Sequence, residues 1–99
     1  AQNELQMRRN RLLMLQGITM NNPETISVSP ESSIEKDTIL DPGVHISEGC
    51  RIGKSCKIGQ GSILKNCHVG DKAIIGPYSY LVDSTVAAGT TVAPFSKSI

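Results

Sequence analysis

From Val28 to Val92 an aliphatic side chain returns at nearly every sixth position: Val28, Ile34, Leu40, Ile46, Ile52, Ile58, Leu64, Val69, Ile75, Leu81, Val86 and Val92. Two steps are five residues long, Leu64 to Val69 and Leu81 to Val86. An amphipathic helix repeats about every 3.6 residues and a half-buried strand every two, so neither explains this spacing. A fixed repeat decides architecture before any local propensity does. A hexad with one aliphatic anchor fits one side of a triangular coil, and three sides make one turn of a parallel β-helix. Twelve anchors predict about four coils. With stacked strands about 4.8 Å apart, the prism stands roughly 19 Å tall.

A second register supports this. Two places before the anchors stand Ile26, Ser32, Thr38, Val44, Cys50, Cys56, Ser62, Cys67, Ala73, Ser79, Ser84 and Thr90, mostly small residues. Alternate residues of a strand share a face, so both registers point into the prism. A narrow interior accepts one large and one small side chain per side. The rule survives both five-residue steps when counted back from the new anchor. Gly53, Gly59, Gly70 and Gly76 directly follow anchors, and Gly43, Gly49, Gly61 and Gly89 lie three beyond them. These positions read as corners, where glycine bends at no steric cost. Asp37, Asn66 and Asp83 read as substitutes at equivalent bends.

Residues 1–20 differ. Leu5, Leu12 and Leu15, with Met7, Leu13 and Met14 nearby, recur at helical spacing, and Gly17 suits a helix stop. Asn21, Asn22 and Pro23 mark a turn into the first coil. The division is therefore a helical arm over 1–20 and a β-helix over 21–99. So short a helix is marginal alone, so its apolar stripe must pack on the prism, on another subunit or on a further domain. The chain starts within the helical pattern without an initiator methionine and stops one hexad after Val92, where a solenoid would normally carry a cap. That predicts a fragment of a longer protein, truncated at both ends.

Composition narrows the functional classes. A net charge of +1 gives no electrostatic case for nucleic acid or a membrane surface. No apolar run approaches the roughly 20 residues that span a bilayer. Arg8, Arg9 and Arg11 could touch phosphate, but read more simply as a solvated helix face. Cys50, Cys56 and Cys67 all fall on the small inward register. A disulfide, a metal site and a nucleophile are the functional readings open to them. The spacing of Cys50 and Cys56 fits no zinc pattern, and cysteine packs as a small hydrophobe, so the structural reading is preferred. Reduced, buried thiols suit a cytoplasmic protein.

His45 and His68 each precede an anchor and point outward. Hexad-repeat acyltransferases use one outward histidine as general base in a cleft between subunits. Here no neighbouring loop is in place to build a pocket, so both read as solvated. Two histidines do not supply the three-histidine zinc set of hexad-repeat carbonic anhydrases. Every glycine is explained by a corner, so no phosphate loop is read. No residue is assigned a catalytic, cofactor-binding or metal role, and no cofactor is expected in this segment.

Specific strings carry a resemblance. Leu12-Leu13-Met14-Leu15-Gln16-Gly17-Ile18-Thr19-Met20 followed by Asn22-Pro23 resembles the interdomain link of the bifunctional bacterial enzymes of UDP-N-acetylglucosamine synthesis. The run from Lys57 to Asp71 resembles early coils of their β-helix, including the short step after Lys65-Asn66. Ile75-Gly76-Pro77-Tyr78-Ser79 and Val92-Ala93-Pro94-Phe95 match two further landmarks. The resemblance implies left-handed coiling and a homotrimer. It implies acetyl transfer from acetyl-CoA to glucosamine-1-phosphate between neighbouring prisms, and uridylyl transfer from UTP with Mg²⁺ in a preceding domain. The family's catalytic histidine and its contacts to sugar phosphate and acetyl-CoA lie in later coils, and none maps onto this chain. The expected role is scaffold and trimerisation, touching sugar phosphates only through regions not included here. Alternatives are a non-catalytic oligomerisation or regulatory β-helix of another sugar-1-phosphate nucleotidyltransferase, and a free-standing assembly module.

Overall fold

Thirteen short strands follow one helix in the computed structural model, which describes residues 4–98. Helix α1 spans Glu4–Leu15, and a 3₁₀ turn covers Pro23–Thr25. Strands β1 to β4 are Thr19–Met20, Ser27–Val28, Ser33–Ile34 and Ile39–Leu40. Strands β5 to β8 are His45–Ser47, Arg51–Ile52, Lys57–Ile58 and Ile63–Lys65. Strands β9 to β13 are His68–Val69, Ile74–Ile75, Tyr80–Val82, Thr85–Val86 and Thr91–Val92. Each strand pairs in parallel with the third one along the chain. The result is three sheets, β1-β4-β7-β10-β13, β2-β5-β8-β11 and β3-β6-β9-β12. This is a parallel solenoid of about four coils.

The anchors occupy the interior as their period requires. All are buried except Val92, which is half-buried on the uppermost strand. Their columns are in register, Leu40 over Ile58 over Ile75 over Val92 in the first sheet. Both short steps fall at the same corner, between the second and third sheets. There Asn66 and Asp83 each turn the chain alone with φ 51°, where the coil below uses Glu48 and Gly49. The two stack, and Asn66 Nδ2 donates to Asp83 Oδ1 at 2.8 Å. Shortening one corner in successive coils keeps every strand above it aligned.

The small register does more than fit. The Cys56 amide donates to Thr38 Oγ1 one coil below at 3.2 Å, and the Cys50 amide to Ser32 Oγ at 3.0 Å. The Ser79 amide reaches Ser62 Oγ at 3.4 Å, and the Cys67 amide reaches Cys50 Sγ at 3.4 Å. Buried amides need partners. Hydroxyl and thiol side chains supply them inside the prism, which an alanine could not.

The two glycine sets have different causes. Gly61 has φ +70°, a conformation that side chains with a Cβ rarely adopt. Gly59 has an ordinary φ, but a Cβ there would lie 2.5 Å from Pro77 N and 2.7 Å from Ile75 O in the coil above. It is glycine because the next backbone passes directly over it. Glu48, Ser55, Lys72, Tyr78 and Phe95 also have positive φ, without a glycine, Asn or Asp to announce it. Four of these corners are held from below; Lys72 N–H donates to Lys54 O and Tyr78 N–H to Gln60 O, both at 2.8 Å, and Ser55 and Phe95 reach Lys36 O and Pro77 O in the same way.

The lower end departs from the expected division. Thr19–Met20 already pairs with Ile39–Leu40, so the sheets include residues before 21. Met20 behaves as a further anchor and Ile18 as its inward partner, both buried. The step from Met20 to Val28 is lengthened by the 3₁₀ turn, which hides Met20 from a hexad count. Helix α1 closes on a Schellman motif, with Ile18 N–H donating to Leu13 O and Gly17 N–H to Met14 O at Gly17 φ +98°. Leu13 and Met14 pack against the core. The expected stripe does not: Leu5, Leu12 and Leu15 are 66%, 56% and 80% exposed. Polar side chains face the prism instead. Asn10 is fully buried and its Nδ2 donates to Pro23 O and Ile26 O at 2.9 Å, while Gln6 Nε2 reaches Ile26 O at 2.6 Å. The lowest rung presents carbonyls with no strand beneath them, so the helix meets it with donors instead of leucines.

Candidate functional site

With both inward registers filled by small and aliphatic residues, polar side chains stand in outward columns on each of the three sheets. On the third sheet, Arg51 of β6 lies in register below His68 of β9, with Ser33 beneath and Thr85 above. The neighbouring outward column is Glu35, Gly53, Gly70 and Ala87. Its two glycines are demanded by the overlying backbone; a Cβ at Gly70 would sit 2.5 Å from Ala88 N. A column nearly without side chains beside one with long ones leaves a trough of about 520 Å³. It is lined by Ser33, Glu35, Arg51, His68 and Thr85 among others.

On the second sheet His45 sits between Ser27 and Ile63, with Tyr80 two coils up. His45, Gly43, Gly61, Ile63, Lys65 and Tyr80 line a hollow of about 400 Å³. Lys65 Nζ lies 5.7 Å from the Tyr80 ring centroid, a cation–π distance. At the adjoining corner the Tyr78 ring folds over Gly61, whose added Cβ would meet Tyr78 Cε1 at 2.5 Å. Phe95 stacks on Tyr78 with centroids 5.6 Å apart and planes 13° from parallel. The three aromatic residues of the chain thus gather around one corner and the face beside it.

Both histidines are outward and exposed, as their register requires. The expectation that neither borders a pocket is corrected: each lines a shallow hollow, built by glycine columns instead of loops. They lie on different sheets, so they do not share a site. Arg51, Glu35, Lys65 and Tyr80 join the histidines along these hollows. Their signal was available, since residues 17 or 18 apart stack in adjacent coils. Of the basic cluster, Arg9 turns to the prism and donates from Nη1 to Val28 O at 3.3 Å, while Arg8 and Arg11 are exposed.

The cysteines are buried free thiols. Cys56 Sγ donates to Gly70 O at 3.1 Å, Cys67 Sγ to Leu81 O at 3.2 Å and Cys50 Sγ to Ser47 O at 3.1 Å. Burial raises the Cys50 thiol pKa; backbone hydrogen bonding with Cys67 opposes the rise and the Cys67 charge adds to it. That leaves Cys50 a poor nucleophile at neutral pH. Among the described residues no three His, Cys, Asp or Glu side chains are grouped to hold a metal ion. No helix there is long and apolar enough to cross a membrane.

Comparison with known proteins follows the same geometry. The bacterial transferase hexapeptide (six repeats) family matches residues 31–66. That span covers β3 to β8, where the six-residue spacing is unbroken. The bifunctional protein GlmU of Desulfotalea psychrophila is 46% identical over 88 residues, which is 89% of this chain and 26% of that protein. Any 88-residue window of a 99-residue chain contains residues 12–88, so the likeness runs through the helix end and both short steps.

Over most of its length this chain is similar to GlmU.

The bifunctional protein GlmU of Rippkaea orientalis is 34% identical over 83 residues, 84% of this chain and 18% of that protein. The chain therefore spans about a quarter or less of the GlmU proteins it matches. Its hexapeptide repeats fit the left-handed β-helix. The short-step corners at Asn66 and Asp83 and the lengthened step through Pro23–Thr25 are where this solenoid departs from a uniform hexad.

Proposed function

We propose that this span is the helical arm and opening coils of a hexapeptide-repeat acetyltransferase of the GlmU kind, and that its role there is scaffolding. The reaction served is acetyl transfer from acetyl-CoA to glucosamine-1-phosphate, with uridylyl transfer in a separate domain of the same protein. The protein works in the cytoplasm as a homotrimer whose prisms pack side by side. The observation that carries this reading is the join between arm and prism. Gln6, Arg9 and Asn10 reach Ile26 O, Val28 O and Pro23 O, so the helix docks on the lowest rung by directed hydrogen bonds. Such a contact fixes the angle at which anything attached to the arm meets the β-helix. At the opposite end β13 is the edge strand of the first sheet, with Val92 half-buried.

In this reading His45 and His68 are surface residues without a catalytic role, and no residue of the span binds acetyl-CoA, Mg²⁺ or UTP. The test is the 99-residue chain incubated with acetyl-CoA and glucosamine-1-phosphate, with release of free coenzyme A followed by a thiol reagent. No turnover above the protein-free rate is expected; turnover lost on His45→Ala or His68→Ala would overturn the scaffold role. Sedimentation equilibrium tests association, with a strictly monomeric chain counting against lateral packing through these coils.

A further inference from the structure

We infer that Cys50 and Cys67 form a latent cross-coil disulfide site, closed by a two-electron hydroperoxide oxidant. The two residues immediately precede Arg51 and His68, which are register partners in adjacent parallel strands. Cys50 and Cys67 are therefore stacked one above the other on the inward side of the same corner. Neighbouring strands lie about 4.8 Å apart. That falls within the roughly 4.4–6.8 Å Cα separation of disulfides. The Cys67 amide donates to Cys50 Sγ at 3.4 Å, so the lower sulfur already lies beneath the upper residue. The Cys67 thiol currently points up, donating to Leu81 O at 3.2 Å. Rotation about its Cα–Cβ bond toward Cys50 gives up its contacts with Leu81 O and with Lys65 O at 3.3 Å, and a thiol is a weak donor.

Cys56 is a built-in control. Its column neighbours are Thr38 below, whose Oγ1 takes the Cys56 amide, and Ala73 above, whose carbonyl takes the Lys57 amide. It has no cysteine in register. The chemistry balances without a cofactor. One thiolate attacks a peroxide oxygen, the O–O bond breaks, and a sulfenic acid and water form. The other sulfur attacks that sulfenic sulfur, the S–O bond breaks, and a second water leaves. Two thiol protons and two electrons pass to the peroxide, and one S–S bond remains. Because both thiols are buried and Cys50 is held protonated, the reaction is slow at neutral pH and quickens in alkali. The bond would tie the second coil to the third directly behind the Arg51–His68 trough.

The native chain is treated with hydrogen peroxide, then unfolded in urea and alkylated with N-ethylmaleimide. Trypsin cuts after Arg51, Lys54, Lys57 and Lys65, placing each cysteine in its own peptide. The expected result is loss of two of three labels, a Cys50–Cys67 linked peptide pair and an alkylated Cys56. Cys56→Ser should keep the link and Cys50→Ser should abolish it. A link that includes Cys56, or sulfinic acid without any link, overturns the inference. So does a native chain that keeps all its labels while the urea-unfolded chain oxidises under the same conditions.

Discussion

Replacing Gly59 with alanine separates two explanations of glycine in this solenoid. If every glycine is merely a bend, Gly59→Ala should resemble any other corner substitution. At an ordinary φ it could even stabilise by about 0.4–1 kcal/mol, by restricting the unfolded chain. The structure predicts otherwise. The new Cβ would lie 2.5 Å from Pro77 N and 2.7 Å from both Pro77 Cα and Ile75 O. Reaching an ordinary 3.4 Å contact requires the coil above to lift by about 0.9 Å. The Gly59 amide also donates to that same Ile75 O at 2.8 Å, and such a lift stretches this bond beyond a useful length. Overpacking of this kind costs about 1–3 kcal/mol. The lost ladder bond adds about 1 kcal/mol. After the unfolded-state gain, a net loss of about 1–4 kcal/mol is expected, centred above 2. Gly89→Ala is the reference: φ is +74° but nothing lies within 4 Å, so the cost is about 1–2 kcal/mol from left-handed backbone alone. Urea unfolding followed by far-ultraviolet circular dichroism gives both values, provided the slope with denaturant is unchanged. The reasoning fails if Gly59→Ala is no more destabilising than Gly89→Ala.

Three further outcomes follow from particular contacts. Thr38→Val keeps the shape but removes the acceptor for the Cys56 amide and the donor to Gly53 O, so the same unfolding assay should show a loss of about 1–3 kcal/mol; a neutral result would mean that size alone selects the small register. Asn10→Ala removes one donor each from Pro23 O, which keeps the Ile26 amide, and Ile26 O, which keeps Gln6, and should cost about 1–3 kcal/mol for the two bonds, with amide hydrogen exchange accelerating first in α1; unchanged exchange there would refute the docking role. The Cys50 thiol pKa is raised by folding above its ordinary 9.0, so the unfolded chain releases this proton first. Stability is therefore unaffected below pH 9.0 and declines as pH rises above it toward the folded value. Cys50→Ala should flatten that alkaline slope; a slope identical to that of the parent would remove Cys50 as its cause.

Aliphatic anchors six apart can all be buried only if the chain turns a corner between them, so the period alone determined the coil, the inward registers and the parallel stacking. It also placed Arg51 beneath His68, because 17-residue register is arithmetic once the short steps are counted. Other features were invisible to the pattern because they depend on what lies one coil away. Gly59 is glycine on account of Pro77, and Tyr78 adopts positive φ because Gln60 O holds its amide from below. The hydroxyl of Thr38 matters because an amide with no backbone partner sits above it. The arm differs from its sequence pattern for the same reason. Leucines at helical spacing implied an apolar contact, which Leu13 and Met14 make, but the base of this prism also offers the Pro23, Ile26 and Val28 carbonyls. Asn10 and Gln6 therefore face it, and Leu5, Leu12 and Leu15 turn to the outside.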